Sequence, residues 1–311
     1  MTQAMSQITV VVPVYNRADI VTRTLDSIAS QRLRPLHLVI VDNGSTDETL
    51  GVVTNWRETH ISSDFFVTIL QESKPGACAA RNSGLRIVST PYVMFFDSDD
   101  VMESNHVGEV VAAIESNKDV DIVQWGTTRH GLDGKVYRKQ CRRGDHLFNH
   151  LFHATLATQC WCARTELVRR VGAWDETLMG WNDYELGVRL LLAAKKVVKM
   201  PNSWNVHVYL QENSITGTNY VSGKEKWEES LKKCESVLRQ SGRADAIKYI
   251  ETRRCILAGL YSREQREDES ERLLGEVLSR EPKRLRRMFY RFVRGYVAHG
   301  GRGVSILAKL L

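Results

Sequence analysis

The chain has 311 residues, of which 42% are hydrophobic and 26% charged, and it carries a net charge of +6. This composition is typical of a folded globular protein and excludes a disordered or collagen-like chain. No apolar stretch reaches the roughly 20 residues that a membrane-spanning helix requires. The N-terminal sequence MTQAMSQ lacks the basic start and apolar run of a signal peptide, so we expect a cytoplasmic protein with six reduced cysteines.

The positive charge is concentrated in the C-terminal tail. Residues 280–311 contain nine Lys and Arg and one acidic residue, while the rest of the chain carries a net charge of −2. Proteins that bind nucleic acid spread basic residues over a broad surface, and the near-neutral body of this chain does not. We therefore expect no nucleic-acid partner.

Strand and helix patterns alternate through the first 125 residues. Apolar β-branched runs predict strands, and apolar residues three and four apart predict helices. The predicted strands are 8–16, 36–42, 67–71, 92–96 and 121–125, and the predicted helices are 18–31, 46–59, 78–88 and 105–116. This alternation predicts an α/β fold with a mostly parallel sheet and helices on both faces. Ligands of such sheets bind beyond the C-terminal ends of the strands.

The pattern changes farther along the chain. Residues 126–180 are less regular, with a predicted hairpin over 131–141 and helices at 145–153 and from Thr165. A strong helix pattern covers 181–194, and charged helices with few strand signals follow. We therefore expect a helical C-terminal region after the α/β part.

Three carboxylates lie within four residues directly after the predicted strand at 92–96. Asp97, Asp99 and Asp100 would repel one another unless a positive group lies among them. Mg2+ and Mn2+ prefer such oxygen ligands, and a cation here could neutralise a departing nucleoside diphosphate. The alternative is a solvated acidic turn that caps the following helix.

Arg81 and Asp42 are candidates for contacts with a nucleotide. Arg81 lies one turn inside the predicted helix that opens at Gly76, and a guanidinium near a helix start suits a phosphate or a base. Asp42 ends a predicted strand, where its carboxylate can accept a hydrogen bond from a base N–H or a ribose hydroxyl. The alternatives are a surface arginine and a turn carboxylate.

The helix predicted from Trp181 opens with two acidic residues. Asp183 and Glu185 point to different sides of a helix, so one of them could act as a general base while the other supports the structure. The alternative is that both are favourable charges in a first helical turn.

Several other sites are excluded by spacing. Cys160, Cys162 and the histidines of 146–153 match no paired zinc motif. The glycine patterns of dinucleotide-binding proteins and P-loop ATPases are missing, as is the nucleophile elbow of esterases. His207, in the strand-like sequence NVHVYL, is either a packed histidine or a group near a metal or diphosphate.

Five segments, in this order, resemble the family 2 glycosyltransferases of the GT-A fold. They are VVVPVYNR (10–17), VDNGSTDET (41–49), KPGACAARNSGL (74–85), FFDSDD (95–100) and WNDYELGVRL (181–190). The resemblance implies a GT-A domain over 1–222, with a nucleotide-sugar half at 1–125 and an acceptor half at 126–222, followed by the helical, basic region 223–311. It also implies transfer of a sugar from a nucleotide sugar, expected to be a UDP-sugar, to a hydroxyl of a glycan or lipid-linked acceptor, with inversion.

The resemblance assigns roles to individual residues. Asp183 matches the catalytic aspartate of the family, which deprotonates the acceptor hydroxyl, and Asp99 matches the ligand of a Mn2+ or Mg2+ ion, with His207 as a second candidate. The nucleotide-sugar contacts that it implies are Pro13, Val14, Tyr15, Asp42, Arg81, Asp97 and Ser98. On the acceptor side we expect Trp161, Trp181 and Asn182, and for Trp161 and Trp174 a place in the core is the alternative.

Two positions depart from the family pattern. Asn182 stands where the first member of an acidic pair is usual, and Asn43 stands where many relatives have a second aspartate. The Q-x-x-R-W motif and membrane spans of the processive synthases are missing, so we expect one sugar to be added per encounter. We expect this sugar transfer to belong to bacterial surface polysaccharide synthesis. A silent nucleotide-sugar-binding scaffold and a sugar-1-phosphate nucleotidyltransferase are the alternatives.

The basic tail has a further possible role. Residues 280–298 mix arginines with apolar residues at helical spacing, as in helices that lie on an anionic membrane surface. Such contact would place the protein at the inner face of the membrane. The alternative is a helix that packs on the domain or on a second subunit of a homodimer.

Overall fold

A computed structural model describes residues 6–210 and 220–310, and these residues form two compact units. The first unit contains residues 6–143, 155–177 and 193–210. The second unit contains residues 144–154, 178–192 and 220–310.

The first unit carries all eleven strands of the described residues. They are β1 (Ile8–Val14), β2 (Leu36–Asp42), β3 (Phe65–Gln71), β4 (Tyr92–Phe95), β5 (Val101–Met102), β6 (Ile122–Trp125), β7 (Thr127–His130), β8 (Val136–Lys139), β9 (Trp161–Arg164), β10 (Val197–Met200) and β11 (Val206–Tyr209). Its helices are α1 (Val21–Ala29), α2 (Thr49–His60), α3 (Ala77–Ile87), α4 (His106–Glu115) and α6 (Thr165–Arg170), while α5 (His146–His153) belongs to the second unit.

A seven-stranded sheet forms the centre of the first unit. Its order is β10-β6-β9-β4-β1-β2-β3. All neighbours are parallel except β9, which runs antiparallel to both β4 and β6. The predicted α/β fold with a mostly parallel sheet is therefore confirmed, and its central strands β1 and β2 are buried along almost their whole length, as their β-branched sequences require.

Helix α3 packs directly on this sheet because it is rich in small residues. A Cβ atom placed on Gly84 would lie 2.4 Å from Cγ1 of Val11 and 3.2 Å from Cγ2 of Val41. The absence of a side chain at Gly84 thus allows the helix to approach β1 and β2 closely. This approach brings Arg81, one turn earlier, to the C-terminal edge of the sheet.

A smaller sheet completes the first unit. Its order is β5-β11-β7-β8, with β11 parallel to β7 and antiparallel to β5. β7 and β8 form a hairpin over 127–139, so the hairpin predicted over 131–141 exists but begins four residues earlier than expected. In this sheet β5, which follows the acidic turn at 97–100, pairs with β11, which carries His207.

The second unit is helical throughout its described residues. It contains α5 together with α7 (Asn182–Ala193) up to residue 192, α8 (Lys224–Gln240), α9 (Ile247–Arg263), α10 (Glu267–Arg280), α11 (Arg284–Ala298) and α12 (Val304–Leu307). The helical C-terminal region is therefore confirmed. One hydrophobic cluster joins α5 and α7 to α8 and α9, with Tyr184, Trp227 and Tyr261 buried in it.

Two further findings concern the whole described chain. None of its helices is long and apolar enough to cross a bilayer. All six cysteines are buried and free of disulfide bonds.

Candidate functional site

The loops that follow β1 and β2 are fastened to each other at the C-terminal edge of the large sheet. Asn16 adopts a left-handed backbone with φ of 49°, which ends the strand two residues earlier than predicted. Its Oδ1 accepts a hydrogen bond from Thr46 N at 2.8 Å, and its N–H donates to Oγ of Ser45 at 3.0 Å. Among the residues predicted to hold the nucleotide here, Val14 is buried, whereas the ring of Tyr15 is exposed.

Asp42 presents an unused acceptor at this edge. The residue is buried, and its Oδ2 accepts a hydrogen bond from Ser45 N at 3.2 Å. Its Oδ1 is also buried and has no hydrogen-bond partner within residues 6–210 and 220–310. Because burial of an unsatisfied carboxylate oxygen is costly, this atom is a candidate for a bond to a ligand.

Arg81 presents an unused donor. Its Nη2 donates to Oδ1 of Asp97 at 2.7 Å, and its guanidinium stacks over the ring of Trp174 at 4.4 Å. The side chain is buried, and Nε has no partner among the described residues. The structure therefore brings Arg81 and Asp97 together and leaves one guanidinium N–H without a protein acceptor.

The acidic turn after β4 combines burial with repulsion. Burial, and then the neighbouring charge of Asp97, raises the pKa of Asp99. Oδ1 of Asp100 accepts a hydrogen bond from Tyr209 N at 3.1 Å, and Arg23 donates through Nη2 to the backbone oxygen of Asp99 at 2.7 Å. Ser98 is buried in the same turn. Asp100 is thus tied to the smaller sheet.

These carboxylates fit a divalent ion that also has ligands on a substrate. No group of three or more His, Cys, Asp and Glu side chains in the described part of the chain could hold a metal ion by itself. Mg2+ sites commonly use only one or two carboxylates together with substrate phosphates. A cation beside Asp99 would also relieve the repulsion that raises the pKa of this residue.

His207 is not available as a second metal ligand in this structure. Its Nε2 lies 3.2 Å from Oε1 of Glu103, and its Nδ1 lies 3.0 Å from Nε2 of His130. Both ring nitrogens already have protein partners. The alternative that the sequence left open, a hydrogen-bonded histidine within a strand, describes His207 better.

The two acidic residues of α7 have different surroundings in the second unit. Glu185 is buried and forms a two-point ion pair with Arg189, at 2.7 and 2.6 Å. Asp183 is half-buried, and its Oδ1 accepts a hydrogen bond from Tyr184 N at 2.8 Å. Glu185 therefore supports the helix, and Asp183 is the better candidate for chemistry.

The aromatic residues expected on the acceptor side divide into two groups. Trp161 is only 1% exposed, and its ring packs against Phe95 and Trp174. This burial places Trp161 in the core and corrects its assignment to an acceptor surface. Trp181 and Asn182 are half-buried at the start of α7, where the ring of Trp181 contacts Trp227 at a centroid distance of 5.1 Å.

Two asparagines organise the loops around Arg81, and the sequence analysis gave neither a role. Nδ2 of Asn43 donates to the backbone oxygens of Glu72 and Lys74 at 3.0 and 2.7 Å, and its Oδ1 accepts from Gly76 N at 2.7 Å. Asn82 exchanges hydrogen bonds with both backbone groups of Trp174, at 2.9 and 3.0 Å. Asn82 thereby holds the Trp174 ring over Arg81.

The sequence of the same region matches a known family. Residues 9–167, about half of the chain, match the family described as Glycosyl transferase family 2. The chain belongs to this family. The predicted family and GT-A fold are therefore confirmed.

Curated relatives of this chain include named glycosyltransferases from three bacteria. The glycosyltransferase GlyA of Streptococcus pneumoniae is 38% identical over 32% of this chain and 14% of its own length. The poly(ribitol-phosphate) β-N-acetylglucosaminyltransferase TarS of Staphylococcus aureus is 24% identical over 72% of this chain and 39% of its own length. WfaP of Escherichia coli, named a UDP-Glc:α-D-GlcNAc-diphosphoundecaprenol β-1,3-glucosyltransferase, is 27% identical over 37% of this chain and 43% of its own. The chain thus spans less than half of each relative.

Solved structures of TarS share the fold of this family 2 chain. The crystal structure of TarS residues 1–349 has a TM-score of 0.70 with 17% identity, and it covers 95% of this chain and 92% of that one. The same TarS fragment in complex with UDP has a TM-score of 0.69 with 18% identity, and covers 94% and 88%. At this identity the likeness establishes the fold.

Proposed function

We propose that this protein is an inverting, metal-dependent glycosyltransferase that uses a UDP-sugar. The observation that carries the nucleotide part is the pair of unused polar atoms at the C-terminal edge of the sheet. Oδ1 of Asp42 is an acceptor and Nε of Arg81 a donor, and both are buried without partners in the described chain. A nucleotide offers base and ribose donors to the first and phosphate oxygens to the second.

The remaining nucleotide contacts follow from the loops at the same edge. We assign the backbone around Pro13, Val14 and Tyr15 to the base, and Asp97 and Ser98 to the ribose and its surroundings. Arg81 is held by Asp97 and Trp174, so its guanidinium is oriented before a ligand arrives. Such preorganisation stabilises the bound state because little side-chain entropy is lost.

The metal would bind at Asp99. A Mn2+ or Mg2+ ion held there, when bound with the diphosphate, would stabilise the negative charge of the departing UDP. Arg81 and Arg23 would add positive charge on either side of the turn.

We assign the general base to Asp183. Its carboxylate would take the proton from an acceptor hydroxyl as that oxygen attacks the anomeric carbon, and the bond to the UDP oxygen breaks in the same step. One displacement of this kind inverts the configuration at the anomeric carbon. Glu185 cannot substitute for Asp183 because it is committed to Arg189.

The acceptor is proposed to be a glycan or a lipid-linked sugar in bacterial surface polysaccharide synthesis. The names of two relatives support this class: TarS acts on poly(ribitol-phosphate) by name, and WfaP acts on a sugar linked to diphosphoundecaprenol. A lipid-linked acceptor would place the enzyme at the inner face of the membrane. We also propose the division into a GT-A domain over 1–222 and a basic helical region over 223–311.

The test is a panel of nucleotide sugars incubated with Mn2+, Mg2+ or EDTA and scored by slow release of the nucleoside diphosphate. We expect metal-dependent hydrolysis of one UDP-sugar, abolished in Asp183→Asn, while UDP still raises the melting temperature of that variant. Hydrolysis that survives in Asp183→Asn would refute the assignment of the base. No hydrolysis of any donor, with UDP binding intact, would favour the silent scaffold.

A further inference from the structure

Helix α11 presents a second apolar face that nothing in the described chain covers. Leu285, Met288, Phe292 and Tyr296 are between 38% and 82% exposed. Their spacing of three, four and four residues places them on one side of the helix, and we call them the exposed stripe. The rings of Phe292 and Tyr296 stack at a centroid distance of 5.7 Å, so this side forms a continuous apolar surface.

The exposed stripe is not the side by which α11 is attached to the protein. Tyr290, Val293 and Val297 are buried in a cluster with residues of α9, α10 and α12. The helix therefore has one apolar side packed on its own unit and another that faces solvent. Neighbouring apolar side chains in one exposed row indicate an interaction site, whereas scattered ones do not.

Unpaired arginines lie along one edge of the exposed stripe. Arg284, Arg287 and Arg291 form no ion pair with any described residue, and we call them the flanking arginines. By contrast, Arg286 pairs with Glu281, and Arg294 pairs with Glu267 and Glu271. Helix α11 contains no acidic residue. The arginines of α11 that face its own unit are thus paired with carboxylates, while the flanking arginines beside the stripe are not.

Neighbouring helices of the same unit show a different arrangement. Arg272 on α10 contacts Glu228, Glu269 and Glu276. Arg239 on α8 pairs with Glu235. These two arginines are therefore paired with carboxylates, whereas the flanking arginines of α11 are not.

We infer that the exposed stripe and the flanking arginines are a docking site for the surface of an anionic lipid bilayer. Apolar side chains enter the boundary between headgroups and acyl chains, and arginines bind the anionic headgroups. A second copy of this chain is a poorer occupant, because a two-fold contact through the same face would bring the flanking arginines of both copies together. The inference deepens the proposed function, since a lipid-linked acceptor would lie at that surface.

The strength of the attraction can be anticipated from the charges. Each Lys or Arg near an anionic surface strengthens binding roughly fivefold, so loss of all three flanking arginines is expected to weaken binding roughly 100-fold. The attraction is screened within about 10 Å at 0.1 M salt, so binding should fall steeply as salt is raised.

The test is co-sedimentation of the whole chain with vesicles of phosphatidylcholine, with and without phosphatidylglycerol. We expect pelleting only with the anionic vesicles and at low salt, and its loss in the triple variant Arg284→Gln, Arg287→Gln and Arg291→Gln. Phe292→Ser should weaken binding to the anionic vesicles at low salt, because it removes apolar contact and no charge.

A matched control removes the same charge elsewhere. Lys135, Lys232 and Arg243 have exposed side chains on other surfaces, and their joint replacement by Gln should leave vesicle binding unchanged. Equal loss in this control would overturn the inference, as would the absence of pelleting by the wild type at low salt. So would a dimer in analytical ultracentrifugation that Phe292→Ser dissociates.

Hydrolysis of the UDP-sugar without acceptor separates this inference from the proposed function. It should proceed at wild-type rate in the triple variant, with the melting temperature unchanged. Pelleting without any hydrolysis would leave the membrane site standing and refute the enzymatic proposal. Hydrolysis of the UDP-sugar without pelleting would leave the enzymatic proposal standing and refute the membrane site.

Discussion

Replacement of Arg81 by Met is expected to lower both stability and affinity for UDP. The variant loses the bond from Nη2 to Oδ1 of Asp97 and the stacking over Trp174, while a methionine fills part of the volume. The Arg81 side chain is 7% exposed and that of Asp97 31%, so the carboxylate left behind is partly solvated. A charge-assisted hydrogen bond contributes about 1.5–3 kcal/mol and the cation–π contact about 0.5–2 kcal/mol, which gives a loss of roughly 2–5 kcal/mol.

A control on the same helix makes this prediction specific. Arg86 has a 62% exposed side chain and pairs with Glu72 at 3.0 Å, so Arg86→Met should cost at most about 1 kcal/mol. Calorimetry without nucleotide should show a melting temperature roughly 5–15 °C lower for Arg81→Met and nearly unchanged for Arg86→Met. Titration with UDP should show a Kd at least about tenfold higher for Arg81→Met. Equal melting temperatures and equal Kd values in the two variants would refute the reasoning.

Four further outcomes are expected. Asp42→Asn should raise the Kd for UDP about 10- to 100-fold by calorimetric titration without unfolding the protein, because its Oδ1 has no protein partner to lose. Gly84→Ala should cost about 1–3 kcal/mol in urea unfolding because its Cβ meets the sheet, whereas Gly275→Ala, with open space around it, should gain about 0.5–1 kcal/mol. Arg253 lies over the rings of Trp181 and Tyr184, at 5.1 and 5.6 Å, and Arg253→Met should slow sugar transfer roughly tenfold in steady-state kinetics while the Kd for UDP stays unchanged. Burial lowers the pKa of His106 from its ordinary value of 6.5 to about 3, so below pH 6.5 the unfolded state binds the proton first, and the wild type should lose about 2 kcal/mol more than His106→Leu between pH 6.5 and 5 in urea titrations.

Much of the sheet could be predicted because its strands are buried on both faces. The sequences of β1, β2 and β4 are apolar for several consecutive residues, and those of β1 and β2 are rich in β-branched residues, as expected of strands covered on both faces. The strand β9 has four residues, WCAR. A segment this short shows no clear alternation of apolar and polar residues, so its sequence does not identify it as a strand. Its antiparallel insertion between β4 and β6 depends on contacts distant in sequence, so it could not be predicted locally.

The candidate site, like the sheet, could be predicted only in part from the sequence. Residues at strand ends, such as Asp42 and Asp97, could be placed at one edge because parallel strands end there together. The side chains that orient the site residues could not be predicted, because their contacts are distant in sequence. The hydrogen bonds of Asn82 to Trp174, for example, join residues 92 positions apart. Trp161 shows the limit of residue type as evidence, since an indole suits a sugar face and a protein core equally well.

The order of chain segments in the second unit has a consequence during synthesis. Helices α5 and α7 leave the ribosome before α8 and α9, yet their apolar residues, such as Leu151 and Tyr184, are covered by the cluster that includes Tyr261. At about 5–20 residues per second, Tyr184 waits roughly 4–15 seconds for Tyr261 to be added. During that interval the growing chain exposes an unfinished core, and a chaperone that binds apolar segments has its opportunity there.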